Sequence, residues 1–193
     1  MNLPNNNQSS GGVLSNIDIE KAIKDKEIKI KGFRPIYIGS SSIDLHLGNR
    51  VNILMLDGKH WAMDTRDKKT LIFKEYRFKR LVIYPDKFYL VSTKESITFG
   101  NSITGFLQGR SSLARLGLNV HCAGFFDVGF SGTATLELTN FTKKPIILYE
   151  GMRICQMVFV KTISPSSIPY YKKKDAKYNK QINPEKSKIY EDK

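Results

Sequence analysis

The sequence predicts an all-β domain, a sandwich or barrel with Greek-key or jelly-roll connections, and three observations carry that prediction. Apolar and polar residues alternate with period two in many short runs. Gly, Pro, Asp or Asn punctuate most of the gaps between those runs. Helical spacing occurs in one short stretch near the N-terminus. With 193 residues, 40% of them hydrophobic and 11% aromatic, the chain suits one domain with a filled core, which excludes wholesale disorder.

Taken in order, residues 1–12 are rich in Asn, Ser and Gly and read as a flexible leader with no secretory signal. Ser15-Asn16-Ile17-Asp18 is a capping box, and Ile19, Ala22 and Ile23 continue at helical spacing to about Lys26. After Phe33-Arg34-Pro35 the period becomes two. Ile43, Leu45 and Leu47 alternate with Asp44 and His46, and Gly48-Asn49 reads as the turn that follows. Further β-like runs cover 51–56, 70–73, 80–84, 87–93, 103–108, 133–139, 146–149 and 153–160. The tail is polar and Lys-rich, either a solvated end or an arm that orders on a ligand or a neighbouring subunit. The expected organisation is a leader (1–12), a β domain (13–168) and a basic arm (169–193).

Charge narrows the partners. Lys and Arg number 31 against 18 Asp and Glu, a net +13. Residues 66–80 hold seven basic and two acidic side chains, and 161–193 hold nine and four. Such a surface suits an anionic partner such as nucleic acid, a nucleotide or acidic lipid, although plain solubility explains it as well. No apolar run approaches the roughly 20 residues that span a bilayer, so no membrane helix is expected. Cys122 and Cys155 are too few for a disulfide framework or a four-cysteine zinc site; they read as core residues of strands in a reduced, intracellular setting.

Four stretches bear chemistry. Gly109-Arg110-Ser111-Ser112-Leu113-Ala114-Arg115-Leu116-Gly117 follows a strand and turns into a short helix; its backbone N–H groups, hydroxyls and guanidiniums suit a phosphate, and equally a capped turn with surface arginines. Asp127 stands among Phe125, Phe126, Gly129 and Phe130, where it can orient a water or bind a sugar hydroxyl, or simply make an Asx-type turn. In 133–139, Ala134, Leu136 and Leu138 share one face, with Thr133, Thr135, Glu137 and Thr139 on the other. Glu137 suits a general acid or base if that face is enclosed, and is an ordinary outward carboxylate if it is solvated. Tyr170 and 175–181 can fold as a lid over phosphates or remain solvated. The H-x-E and C-x-x-C pattern of zinc nucleobase deaminases and the P-loop are both missing.

Together these segments resemble the dCTP deaminase branch of the trimeric dUTPase superfamily, from Val13 to about Ser187. The similarity rests on Ser42-Ile43-Asp44-Leu45-His46-Leu47-Gly48, on the unbroken Gly109–Gly117 signature, on Asp127 to Leu138, on Gly151 to Gln156, and on Pro169-Tyr170 with Ala176-Lys177-Tyr178-Asn179-Lys180-Gln181. The resemblance implies a distorted jelly-roll, the β-clip dUTPase-like fold, with a short N-terminal helix. It implies a cytoplasmic homotrimer with active sites between subunits, no membrane and no nucleic-acid partner.

The activity implied is zinc-free deamination of dCTP, with Mg²⁺ bound through the triphosphate and dTTP as a feedback inhibitor. Glu137 would be the proton shuttle for water attacking cytosine C4. Arg115 and Ser111 would hold the water and base; Arg110, Ser111 and Ser112, on the turn continued by Leu113 and Ala114, would take phosphates. Asp127 would meet the 3′-OH and Phe130 the sugar, main chain at Thr135 and Leu136 would read the pyrimidine, and Gln156, Tyr170, Lys177 and Gln181 would close over the phosphates. One departure bears on the product. Deamination-only members usually carry V-H-V-T-A-H-R-I-D, whereas Val120-His121-Cys122-Ala123-Gly124-Phe125-Phe126-Asp127 is one residue shorter, as in bifunctional members that make dUMP. There Asp127 would also position the water that attacks the α-phosphate. Release of dUTP only, a dUTPase without deamination, and a non-enzymatic basic nucleic-acid-binding barrel are the alternatives.

Overall fold

Twelve strands and two short helices are found among the residues described by the computed structural model, namely 11–55, 58–121 (His121 by its backbone) and 123–192. They run β1 (Gly12–Val13), α1 (Asn16–Lys24), β2 (Ile28–Lys31), β3 (Ile43–Leu54), β4 (Phe73–Arg77), β5 (Arg80–Ile83), β6 (Tyr89–Phe99), β7 (Ile103–Gly109), α2 (Ser111–Ala114), β8 (Leu118–His121), β9 (Phe125–Phe126), β10 (Ser131–Asn140), β11 (Ile146–Tyr149) and β12 (Arg153–Lys161). The expected all-β architecture is present. Ten strands form one sheet with central order β8-β10-β6-β3-β12-β7-β9, while β5 and β11 pair separately. Sequence neighbours are seldom sheet neighbours, so the chain crosses between layers as in a jelly roll. No described helix is long and apolar enough to cross a membrane.

The N-terminal helix forms where its cap was read. Ser15 Oγ accepts from the Asp18 N–H, and Asp18 accepts from the Ser15 N–H at 3.1 Å. That bonding, the Ser15 hydroxyl foremost, holds the Asp18 carboxyl below the usual carboxylate range. Residues 1–10 of the expected leader lie outside the described residues, and Gly12 and Val13 pair with Lys161 and Val160 of β12.

Two readings are corrected. Gly48-Asn49 is not a turn: β3 runs through it, and the register against β6 shifts between Leu47 and Val51. The reason is close approach, since a Cβ on Gly48 would stand 2.9 Å from the Ser92 carbonyl oxygen; the glycine marks a bulge. The 70–73 run is a 3₁₀ turn (Lys68–Thr70) capped by Asp67, and the strand begins only at Phe73. The short strands β2, β8 and β9 lie outside the runs read from sequence.

The core gathers the apolar faces of β3, β6, β10 and β12, with Leu45, Leu47, Val91, Leu136, Leu138 and Phe159 inside. A second bulge, across residues 93–95 of β6, appears where β10 shifts register between Thr133 and Thr135. Thr93 Oγ1 accepts the Ala134 N–H at 2.9 Å. Buried Glu95 accepts the His46 N–H at 2.9 Å and pairs with His46 Nδ1 at 2.7 Å, so its charge does not stand alone in the core. Cys155 is buried on β12; Cys122 lies outside the described residues.

Gly117 ends the α2 turn at φ +82, and a Cβ there would collide with Thr142 Cγ2. Gly117→Ala is expected to cost at least about 1–2 kcal/mol from the left-handed backbone alone. Urea unfolding measures this, and an unchanged midpoint contradicts it.

Candidate active site

β10 positions the central carboxylate. Ala134, Leu136 and Leu138 are buried in the core, which forces Thr133, Thr135 and Glu137 to the opposite face. Glu137 stands opposite Leu90 of β6 and His121 of β8. It is half-buried and lines a cavity of about 370 Å³, so its face turns into a partly open hollow and not onto a flat solvated surface. The cavity brings together six of the residues singled out from sequence: Asp127, Phe130, Thr135, Glu137, Tyr170 and Gln181.

Asp127 opens a tight turn closed by the Phe130 N–H on the Asp127 carbonyl at 3.1 Å, so it is both a turn residue and a cavity residue. The turn is made by backbone, which leaves its carboxylate to face Lys173 Nζ at 3.7 Å. Phe130 is packed edge-on against Phe126, with ring centroids 4.9 Å apart, and this fixes one wall.

The C-terminal residues cover this cavity of their own chain. The Tyr170 N–H donates to the Val128 carbonyl at 2.8 Å. Gln181 is buried and docks on β10: its Nε2 donates to the Thr133 carbonyl at 2.6 Å, and its Oε1 accepts from Thr135 Oγ1 at 3.3 Å. Backbone joins the same contact, with the Thr133 N–H on the Gln181 carbonyl at 2.9 Å. The approach is close enough that a Cβ on Gly132 would lie 2.8 Å from the Gln181 oxygen. Gln181 therefore closes over the cavity by anchoring the arm. Lys177 does not line the cavity; it pairs with Asp192, whose hydrogen bond raises its pKa.

The remaining predicted residues lie elsewhere. Arg110, Ser111, Ala114 and Gln156 line a second hollow with Gln108 and β8, and no residue lines both. Ser112 and Arg115 are exposed beside it, while Leu113 and Leu136 are buried, the former pinning the turn to the core. The hollow is organised by Asp44, which pairs with the Arg110 guanidinium and with Arg153 at 3.1 Å. Ser42 Oγ donates to Gln156 Oε1 at 3.2 Å on the same strand pair.

Sequence reasoning missed the rest of the cavity wall: Phe73, Phe88 and Leu90 on one side, Tyr178, Glu185 and Ser187 from the arm. Tyr178 falls within a motif that was read for its lysine; the others carry no local signal. Among the described residues no cluster of three or more His, Cys, Asp or Glu is placed to hold a metal ion.

Residues 13–162 match the family model described as dCTP deaminase-like. A protein of Dictyoglomus turgidum named dCTP deaminase, dUMP-forming, is 38% identical over 186 residues, covering 92% of this chain and 94% of that one. One of Thermomicrobium roseum named dCTP deaminase is 36% identical over 193 residues, covering 93% and 95%. Among solved structures, the 2′-deoxycytidine 5′-triphosphate deaminase of Agrobacterium tumefaciens superposes with a TM-score of 0.60 at 20% identity, over 78% of this chain and 48% of that one, which speaks for the fold. The chain belongs to the dCTP deaminase-like family.

Removing residues 169–193 is expected to weaken pyrimidine deoxynucleotide binding at least about tenfold, because cavity-wall and anchoring contacts both go. Calorimetric titration measures this, and unchanged affinity contradicts a covering role for the arm.

Proposed function

We propose that this protein is a dUMP-forming dCTP deaminase, an enzyme that removes the C4 amino group of dCTP and then releases pyrophosphate from the resulting dUTP. The observation that carries the reading is the meeting of Glu137 and Asp127, two carboxylates with different surroundings, in one covered cavity. The names of relatives alike over more than nine-tenths of the chain support it, dCTP deaminase for the Thermomicrobium protein and the dUMP-forming kind for that of Dictyoglomus.

In the first step Glu137 takes a proton from water as the oxygen bonds to C4 and passes it to N3; it then takes the proton of the new C4 hydroxyl and passes it to the amino group, so that the C4–N bond breaks, ammonia leaves and the C4 carbonyl forms. A carboxylate on a rigid central strand is suited to this, since proton transfer requires hydrogen-bond reach of the reacting atoms. Main chain at Thr135 and Leu136 reads the pyrimidine edge, and Phe130 flanks the sugar. In the second step Asp127 orients the water that attacks the α-phosphorus as the α–β phosphoanhydride bond breaks. The stretch from Val120 to Asp127, one residue shorter than in deamination-only members, supports this step over release of dUTP. Mg²⁺ arrives with the triphosphate as part of the substrate, and no residue is assigned to it.

Arg110, Ser111, Ser112, Arg115 and Gln156 lie outside the cavity of their own chain. A homotrimer in which this face of one copy completes the cavity of the next gives them their roles: the guanidiniums and hydroxyls take phosphates, and Ser111 with Arg115 holds the water and base. Asp44 then keeps the Arg110 fork aimed. A cytoplasmic setting accords with the scarce cysteines.

The test is product analysis after incubation with Mg²⁺ and dCTP, which is expected to yield ammonia, pyrophosphate and dUMP. Glu137→Gln is expected to slow ammonia release by at least about 100-fold while dUTP is still converted to dUMP; undiminished ammonia release removes Glu137 from the mechanism. Asp127→Asn is expected to leave deamination in place and let dUTP accumulate; if dUMP forms at the normal rate, Asp127 has no part in the second step.

A further inference from the structure

The segment after Gln181 carries none of the motifs read from sequence, yet Glu185 and Ser187 line the cavity. Within the arm, the segment is tied back by Lys188, which pairs with Glu185, donates from Nζ to the Lys177 carbonyl at 2.7 Å, and gives its N–H to the Tyr178 hydroxyl at 3.0 Å. Its anchor on the β domain is Asn52 of β3. Asn52 is 3% exposed, and its Nδ2 donates to the carbonyl of buried Pro184 at 2.6 Å. A carbonyl only accepts, so the amide nitrogen must face it.

Two further observations make this bond more than incidental packing. Asn52 is in register with Leu90, a cavity-wall residue, so the two side chains lie side by side on one face of the sheet and the anchor stands next to that wall. The Asn52 Oδ1 is buried with no partner among the described residues. An apolar side chain of the same size would bury no unpaired oxygen, so an amide here burdens the core unless its donor is used. The use it has is the arm.

We propose that Asn52 is a positioning residue that seats residues 184–188, through the Pro184 carbonyl, as a second strap across the cavity and so retains the bound nucleotide. The part about nucleotide rests on the function proposed above; the anchoring itself does not.

The test compares wild type, Asn52→Leu, a chain ending at Ile182, and the two changes combined. Asn52→Leu keeps the branching of the side chain and removes the donor; Asn52→Asp, of the same shape but with no donor for the carbonyl, is expected to behave alike. In nucleotide-free protein, tryptic cleavage at Lys186 and Lys188 is expected to accelerate about tenfold in Asn52→Leu, the effect of one buried hydrogen bond on a local opening equilibrium, with Tm and assembled size unchanged. The KM for dCTP is expected to rise severalfold with a smaller change in kcat. In the chain ending at Ile182 the same substitution is expected to add nothing, because its partner is gone. Equal cleavage rates in Asn52→Leu and wild type overturn the anchor. An equal KM rise in the shortened chain shows a general disturbance of β3 and overturns it too. Absence of turnover of both dCTP and dUTP by wild type removes the proposed function, while the cleavage comparison still decides the anchor.

Discussion

The register of β10 is the constraint on which the site depends. Side chains alternate along a strand, so a slip of one residue would turn Glu137 into the core and Leu136 and Leu138 out of it. Leu136 and Leu138 are completely buried, and that burial holds the strand in phase. Each is worth roughly 1.5–3 kcal/mol against an exposed position, far more than any polar contact in the cavity. The bulge in β6 lets β10 keep this phase while accommodating the Thr133–Thr135 irregularity, and Thr93 and Glu95 satisfy the groups it displaces. The functional face of the cavity is thus set by hydrophobic packing behind it.

On this face the arm is held by several bonds of unequal weight. Gln181 makes buried hydrogen bonds to β10, each of the kind worth about 1 kcal/mol, with a further penalty if a partner is left unpaired. Lys173 and Asp127 form a half-exposed pair at 3.7 Å, of a class worth about 0–1 kcal/mol. Docking on β10, and not the ion pair, therefore keeps the cover in place. The Asp127 carboxylate remains close to a cation that a triphosphate can also engage.

Much of this was legible in the residues. The period of two at 133–139 placed Glu137 correctly because the core takes every second side chain, and the Ser15–Asp18 box fixed the helix start because its bonding is local. Gly48 was misread because a bulge and a turn use glycine for the same reason, freedom for close approach, and only the partner strand tells them apart. Glu95 and Asn52 left no trace: a Glu or Asn in a strand reads as an outward residue until its partner, 49 or 132 positions away, is known. The division of the motif residues between two separate surfaces was equally hidden, since adjacency in a motif says nothing about which side of the sheet a loop faces.

That division gives the most direct measurement. Chains carrying Glu137→Gln and chains carrying Arg115→Ala, each inactive alone in ammonia release from dCTP, can be co-assembled in equal amounts. If one copy supplies the carboxylate and the next supplies the arginine–serine turn, random mixing leaves about one quarter of the sites intact, and ammonia release should recover to that level. Mixed assemblies no more active than the separate variants would contradict a site completed between chains.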